Sequence, residues 1–314
     1  MITLEEVLSP ENMQLACRRV MTNKGAAGVD GMRVKQLPAH FAKHGANIFA
    51  HIRKGGYIPA VVKRVDIPKP NGGTRTLGIP TAQDRVIQQA IAQVLTKHFD
   101  PSFSEFCYGF RPGRSAHLAV EQAQRYIAEG YKFVVEMDLT KFFDTVNHDR
   151  LMTKVEKHIE DRMLLRLIRR YLNTGIMSED IVQAKDAGTP QGSPLSPKLS
   201  LIVLDEQDKY LEKRGLKFTR YADDNNVYVI SERVGRRVLE NLTAFIEEKL
   251  KLRFKPRLER RVSPEQSEIS RLQLCQHNGC APSAPQEFHK TPRRAEGHLS
   301  LRQRDIPEGD HQQN

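Results

Sequence analysis

The feature that most constrains this chain is a pair of adjacent aspartates, Asp223 and Asp224, set inside a strand-like stretch, Lys217–Ile230, that breaks in its middle. The break reads Asp-Asp-Asn-Asn, which is turn chemistry, so the stretch is expected to fold as a hairpin with both carboxylates at its tip. A second acidic position has the same look. Lys132–Asp138 is a half-apolar strand that ends in a carboxylate and runs on through Leu139, Thr140, Lys141, Phe142 and Phe143 to Asp144. A hairpin tip with two aspartates beside a strand ending in a third gathers three carboxylates in a small volume. Such a cluster repels itself unless a cation sits in it, and magnesium, which prefers hard oxygen ligands, suits it. Two such ions about 3.5–4 Å apart are what phosphoryl transfer uses to activate the attacking oxygen and brace the leaving one. An Asp-Asp pair alone is more often a solvated turn. The strand flanks and the second site narrow that gap, and the motifs elsewhere in the chain reverse it.

Around these positions the chain alternates helices with short strands, an α+β pattern. Leu4–Asn23 reads as a helix with a Gly-rich exit. Tyr57–Pro68 and Thr74–Ile79 flank the turn Pro70-Asn71-Gly72-Gly73 and read as a hairpin. Thr81–Phe99 places Val86, Ile87, Ala90, Ile91, Val94 and Leu95 at helical spacing. His117–Gly130, Asp149–Asn173, Leu199–Arg214 and Val234–Leu252 read as further helices. From Pro256 onward the character changes: nine of 59 residues are Leu, Ile, Val or Phe, and six prolines interrupt the stretch. That is below the roughly 20% at which a packed core becomes doubtful, so 256–314 is expected to be a disordered tail. The expected divisions are therefore an N-terminal helical extension over 1–56, a main domain over 57–255, and the tail.

The net charge of +11 raises the local concentration of phosphates and is compatible with a nucleic-acid partner without requiring one. No apolar run is long enough for a membrane span, and the N-terminus lacks the order of a secretion signal. Four cysteines are too few for a disulfide framework, which points to a reducing, cytoplasmic compartment.

With Tyr221-Ala222-Asp223-Asp224 in view, the sequence resembles the reverse transcriptases encoded by bacterial group II introns. The resemblance runs from about Asn23 to Leu252 in the family's order. It includes Asn23–Gly31, Ile67–Pro70 with Thr74–Thr81, Tyr108–Ser115, Asp138–Asp144 and Gly188–Pro197. It implies a right-hand polymerase, with fingers packed on a palm of antiparallel strands backed by helices. It implies that Asp138, Asp223 and Asp224 bind two Mg²⁺ ions, with the Leu139 carbonyl as a further ligand. Phe143 would be the steric gate that excludes a 2′-hydroxyl, with core packing beside Phe142 as the alternative. Lys69 and Arg75 would meet the triphosphate, although Lys69 equally suits an exposed turn. Gln191 and Gly192 would approach the incoming nucleotide and template. Arg111 and Arg114 would grip template phosphates, against the plainer reading of a charged loop. The implied partners are an RNA template, a DNA primer and deoxynucleoside triphosphates, with group II intron RNA as the natural template. No oligomeric state is implied.

The sequence also departs from the family. After Leu252 neither the lysine-bearing strand nor the primer-grip block is recognisable, and the thumb is expected to be absent. The tail is then expected to derive from a frameshift or truncation. Lys198 and Leu201 stand where the family has an apolar residue and an asparagine, and Asn225 is unusual after the Asp pair. Two other functions fit a chain of this kind: an RNA-binding maturase remnant that has lost synthesis, and a reverse transcriptase used in phage defence.

Overall fold

A computed structural model describes residues 2–68, 74–139, 146–178, 181–183, 192–252 and 254–260. At several strand positions, Arg75, Asp138 and Lys255 among them, it describes the backbone alone. All of these residues fall in one compact unit, Met1–Asn278.

The N-terminal segment is helical but broken. Helix α1 (Leu4–Leu8) stops at Ser9, which caps α2 (Pro10–Thr22) by accepting from the Asn12 N–H at 3.4 Å. Pro10 has no N–H to donate and is well placed in the first turn of a helix, so Ser9-Pro10 divides what reads as a single helix. Helix α3 (Leu37–Arg53) lies within the expected helical extension but is not delimited in sequence as an element of its own, because Pro38 near its start and Gly45 at its centre weaken the helical pattern. Gly45 lies between Phe41 and Phe49, whose rings stack at 6.1 Å. The helices of the expected extension over 1–56 share one apolar core with the rest of the unit.

The expected hairpin is present as β1 (Val62–Pro68) and β2 (Thr74–Ile79), in register from Lys63↔Ile79 to Pro68↔Thr74. Two three-residue strands extend it. β4 (Ile176–Ser178) runs parallel to β1, and β5 (Ile181–Gln183) pairs antiparallel with β4, giving the order β2-β1-β4-β5. Strands this short leave no alternation to detect in sequence.

Helix α4 (Ala82–Phe99) is the pillar of the core: Val86, Ile87, Ala90, Ile91, Val94 and Leu95 are all buried on it. Its first turn holds a polar knot. The buried Asp84 carboxylate accepts from Tyr57 Oη at 2.6 Å, Thr81 Oγ1 at 2.7 Å, Tyr171 Oη at 3.1 Å and the Ala60 N–H at 3.1 Å. Burial pushes the Tyr57 and Tyr171 hydroxyls well above their usual range, which keeps both as donors. The knot ties the strand entry at Ala60 to α4 and to α7 (Arg162–Leu172). Asp161 caps α7, accepting from Met163 and Leu164, and also accepts from the Leu4 N–H at 2.8 Å. That cap separates α7 from α6 (His148–Glu156) within the single helical stretch read over 149–173.

The second sheet is assembled from β3 (Phe133–Leu139), β6 (Lys217–Tyr221), β7 (Asp224–Val229) and β8 (Phe254–Arg260). Its order is β6-β7-β3-β8, and every neighbouring pair is antiparallel. Val135, Met137, Leu139, Phe218, Val227 and Val229 face the core shared with α8 (Ser196–Lys213) and α9 (Glu232–Ala244). On the opposite face Val134 and Tyr228 are covered by Ala123 and Tyr126 of α5 (Ala116–Ala128). Farther along that face Tyr221, Asp224, Asn226 and Glu136 are half-exposed. This is the antiparallel, helix-backed palm that the resemblance implies.

One expectation fails here. The break placed after residue 255 falls inside β8, which pairs with β3 from Leu139↔Phe254 to Phe133↔Arg260. Residues 256–260 belong to the palm sheet, and the remainder of the expected tail lies outside the described residues. Among the described residues no helix is long and apolar enough to cross a membrane.

Replacing Asp84 with Ala strands three hydroxyls and one N–H in the interior. The expected cost is roughly 3–5 kcal/mol of unfolding free energy, read from the urea midpoint. A loss of less than about 1 kcal/mol would show that the knot is not a stability element.

Candidate active site

The register of the palm sheet decides where the acidic residues meet. Asp138 of β3 stands opposite Asp224 of β7, and Asp224 stands opposite Tyr221 of β6. Directly opposed residues in an antiparallel pair have Cα atoms about 4.5–5.5 Å apart. On the other side of β3, Asp138 stands opposite Lys255. Tyr221, Asp224, Asp138 and Lys255 thus form one row across four strands at the end of the sheet. Asp223 lies in the two-residue turn that joins β6 to β7, beside Ala222.

That turn is tightly built. Ala222 has φ +60°, a conformation that L residues adopt reluctantly. Gly109 presses on it so closely that a Cβ there would lie 2.2 Å from the Ala222 nitrogen, so no other residue fits at 109. Gly109 of the Tyr108–Ser115 block therefore serves the β6–β7 hairpin by close packing.

Of the other expected site residues, Leu139 has its side chain buried in the core, which leaves only its backbone as a ligand. Gly192 has φ +109°, and a Cβ on it would meet the Gly78 carbonyl oxygen at 2.7 Å. It packs directly on β2, the strand that carries Arg75. Ser193 beside it is buried and donates to Gln88 of α4. Arg75 sits opposite Ile67 in the β1–β2 hairpin. Lys69, Phe143 and Gln191 lie outside the described residues. Among the described residues no three His, Cys, Asp or Glu side chains form a ligand set, and the Asp138 side chain is not among those described. The donor chemistry nevertheless fits a hard cation: two aspartates at and beside the turn, with a third opposed in register.

Arg111 corrects the sequence reading. Its side chain is 6% exposed and is consumed by the fold. It donates to Asp100 Oδ1 at 2.8 Å, to the Asp100 carbonyl at 2.9 Å and to the Cys107 carbonyl at 3.2 Å. A guanidinium with its donors spent in this way cannot also grip a template phosphate. Arg114 is half-exposed: it donates to the Glu105 carbonyl at 3.0 Å and lies 5.6 Å from the centre of the Tyr108 ring. Lys198, one of the departures from the family, donates to the carbonyl of Phe110, and burial lowers its pKa. Asn225 is buried opposite Arg220 and Met137, and neither polar atom of its amide has a partner among the described residues.

A palm sheet with aspartates gathered at one end is the hallmark of template-directed nucleic-acid polymerases. The chain belongs to the reverse transcriptase (RNA-dependent DNA polymerase) family, whose model matches residues 67–257, well over half its length. It is 35% identical over 219 residues to Protein YkfC of Escherichia coli (strain K12), covering 68% of this chain and 58% of that protein. It is 32% identical over 219 residues to the group II intron-encoded protein LtrA of Lactococcus lactis subsp. cremoris, covering 69% of this chain and 36% of LtrA. The chain therefore spans little more than half of one of these relatives and about a third of the other. Among solved structures, the telomerase of Candida albicans shares the fold, with a TM-score of 0.50 at 14% identity over 67% of this chain and 44% of that one. The match to the family model ends within β8, which agrees with that strand being part of the palm.

Arg111 and Arg114 separate cleanly by experiment. Arg111→Ala should cost about 3 kcal/mol of stability, because it leaves the Asp100 carboxylate unpaired. Arg114→Ala should leave the melting temperature unchanged while lowering the salt slope of primer–template binding by about 0.7–0.9. Equal melting temperatures for the two variants would refute the assignment.

Proposed function

We propose that the chain is an RNA-directed DNA polymerase of the group II intron type, which transfers deoxynucleotides to a primer 3′-hydroxyl on an RNA template. The observation that carries this reading is the opposition of Asp138 and Asp224 beside Asp223 at the open end of the palm. Asp138, Asp223 and Asp224, with the Leu139 carbonyl, would hold two Mg²⁺ ions. When bound, these would activate the 3′-hydroxyl, brace the departing pyrophosphate and offset the charge that develops between them. The protein's own part is positioning. Lys69 and Arg75 on the fingers hairpin meet the triphosphate, and the planar fork of arginine suits phosphate oxygens. Gln191 and Gly192 border the nucleotide, Phe143 sits under its sugar, and Arg114 contacts the template backbone. Lys255, across β3 from Asp138, adds a positive charge to the same row.

The substrates on this reading are deoxynucleoside triphosphates and an RNA template with a DNA primer. Group II intron RNA is the natural partner, given the resemblance to LtrA, and the bacterial cytoplasm is the compartment. A palm sheet that includes β8 supports synthesis over a maturase remnant limited to binding RNA.

Primer extension on poly(rA)/oligo(dT) with Mg²⁺ tests the reading. The unaltered protein should extend the primer, and the Asp223→Ala, Asp224→Ala double variant should fall to background while still binding RNA. Absence of extension by the unaltered protein, with RNA binding retained, would favour the remnant. The gate is tested separately: Phe143→Val should raise ribonucleotide incorporation relative to deoxynucleotide by roughly 10- to 200-fold. An unchanged ratio would assign Phe143 to core packing.

A further inference from the structure

Beneath the catalytic turn lies a pair of buried charges that the mechanism above does not use. Arg220, at the end of β6, has a side chain 1% exposed, and Asp208, on α8, has one 0% exposed. Arg220 Nε donates to Asp208 Oδ1 at 2.7 Å, and its Nη2 donates to the other carboxylate oxygen. The third guanidinium nitrogen, Nη1, donates at 2.9 Å to the carbonyl of Ala222, the residue before Asp223. The backbone of Arg220 is clamped as well: its N–H donates to the Phe106 carbonyl at 2.9 Å, and its carbonyl accepts from the Tyr108 N–H at 2.8 Å.

We propose that Arg220 is a positioning residue for the paired aspartates, its guanidinium locked on Asp208 so that it holds the Ala222 carbonyl and fixes the turn that presents Asp223 and Asp224 to metal. This rests on the polymerase reading of the site.

Three features carry the argument. A buried ion pair contributes little net stability compared with apolar residues of the same size, so stability alone does not account for one beneath this turn. Ala222 is held left-handed, which an L residue resists, and Gly109 blocks the turn on its outer side. The Ala222 carbonyl is then the handle by which the turn's orientation is set. Only arginine can serve all three acceptors together, because its fork is planar and rigid, whereas lysine offers a single compact ammonium. The side chain acts from the core face of the sheet, opposite Asn225, and touches no reacting atom.

The test uses the full chain, with Arg220→Lys and with the paired change Arg220→Met/Asp208→Leu, which removes both charges together and so leaves neither unpaired. Mn²⁺ binding is read from loss of the free-ion electron paramagnetic resonance signal, Mg²⁺ dependence from extension on poly(rA)/oligo(dT), and folding from thermal melting. The paired variant should melt within about 5 °C of the parent. It should bind Mn²⁺ about 10- to 100-fold more weakly and need correspondingly more Mg²⁺ for half-maximal extension. The KM for dTTP and the Kd for primer–template should be unchanged. Arg220→Lys, which keeps the charge but loses the fork, should show the same metal defect and carries the test if the paired variant fails to fold. Parental Mn²⁺ affinity in a folded variant would overturn the proposal. Mn²⁺ binding that the variants weaken, in a protein whose unaltered form does not extend primers, would fail the polymerase reading and leave the positioning role supported.

Discussion

The pairing of β3 with β7 is the constraint on which the rest of the site depends, and apolar burial is what enforces it. Val135, Met137 and Leu139 alternate along β3, and all three are buried. A slip of one residue would carry them to the open face and bring charged neighbours into the core. The same register sets Asp138 against Asp224, an arrangement that opposes like charges and is unfavourable in itself. The core thus holds Asp138 and Asp224 opposite one another in register, and on the function proposed above that enforced proximity is what would suit the end of the sheet to a cation. Asp223 is added by a different device, a tight turn held from beneath by Arg220 and from outside by Gly109.

Much of this was legible in the sequence, for identifiable reasons. The helix face at the centre of the core repeats strongly enough to be read directly: α4 buries the six residues that its spacing marks. The hairpin was legible from the break in a strand pattern, but its turn is Ala222-Asp223, one step earlier than Asp-Asp-Asn-Asn suggests: Asp224, Asn225 and Asn226 are paired residues of β7. What stayed hidden depended on contacts made far along the chain. Ser9-Pro10 and Asp161 divide helices by capping, a signal of one or two residues that periodicity averages away. β4 and β5 are strands only because β1 offers them an edge.

Arginines show the limit of reading charge from sequence most clearly. Arg111 and Arg114 belong to one motif and look alike in the chain, yet the Asp100 carboxylate and three backbone carbonyls absorb the first, while the second remains half-exposed. Arg220 has the opposite history: it precedes the Asp pair, reads as part of a strand, and proves to be among the most buried large side chains in the protein. A guanidinium's role depends on which acceptors the fold brings to it. Asp100 and Asp208 lie 11 and 12 residues away in sequence, on elements whose placement no local pattern reveals.

The strand at the end of the palm shows how composition can mislead. Taken over 256–314, apolar residues are too sparse for a core, and Pro256 looks like a terminator. Yet the order β6-β7-β3-β8 puts β8 at the edge of the sheet, where a proline is tolerated because one side of the strand needs no ladder partner. Phe254, Pro256 and Leu258 alternate with Lys255, Arg257 and Glu259, the two-residue period of a strand with one buried face. Leu258 meets that expectation: it lies against α9 so closely that a Cβ on Gly235 would come within 2.6 Å of its Cδ1. The signal was present over six residues, and the part of it beyond residue 255 was diluted by an average over 59. Recovering it moves the end of the palm past Lys255 and sets that residue in register with Asp138 across β3, so the row at the end of the sheet is completed by the very segment whose composition argued against structure.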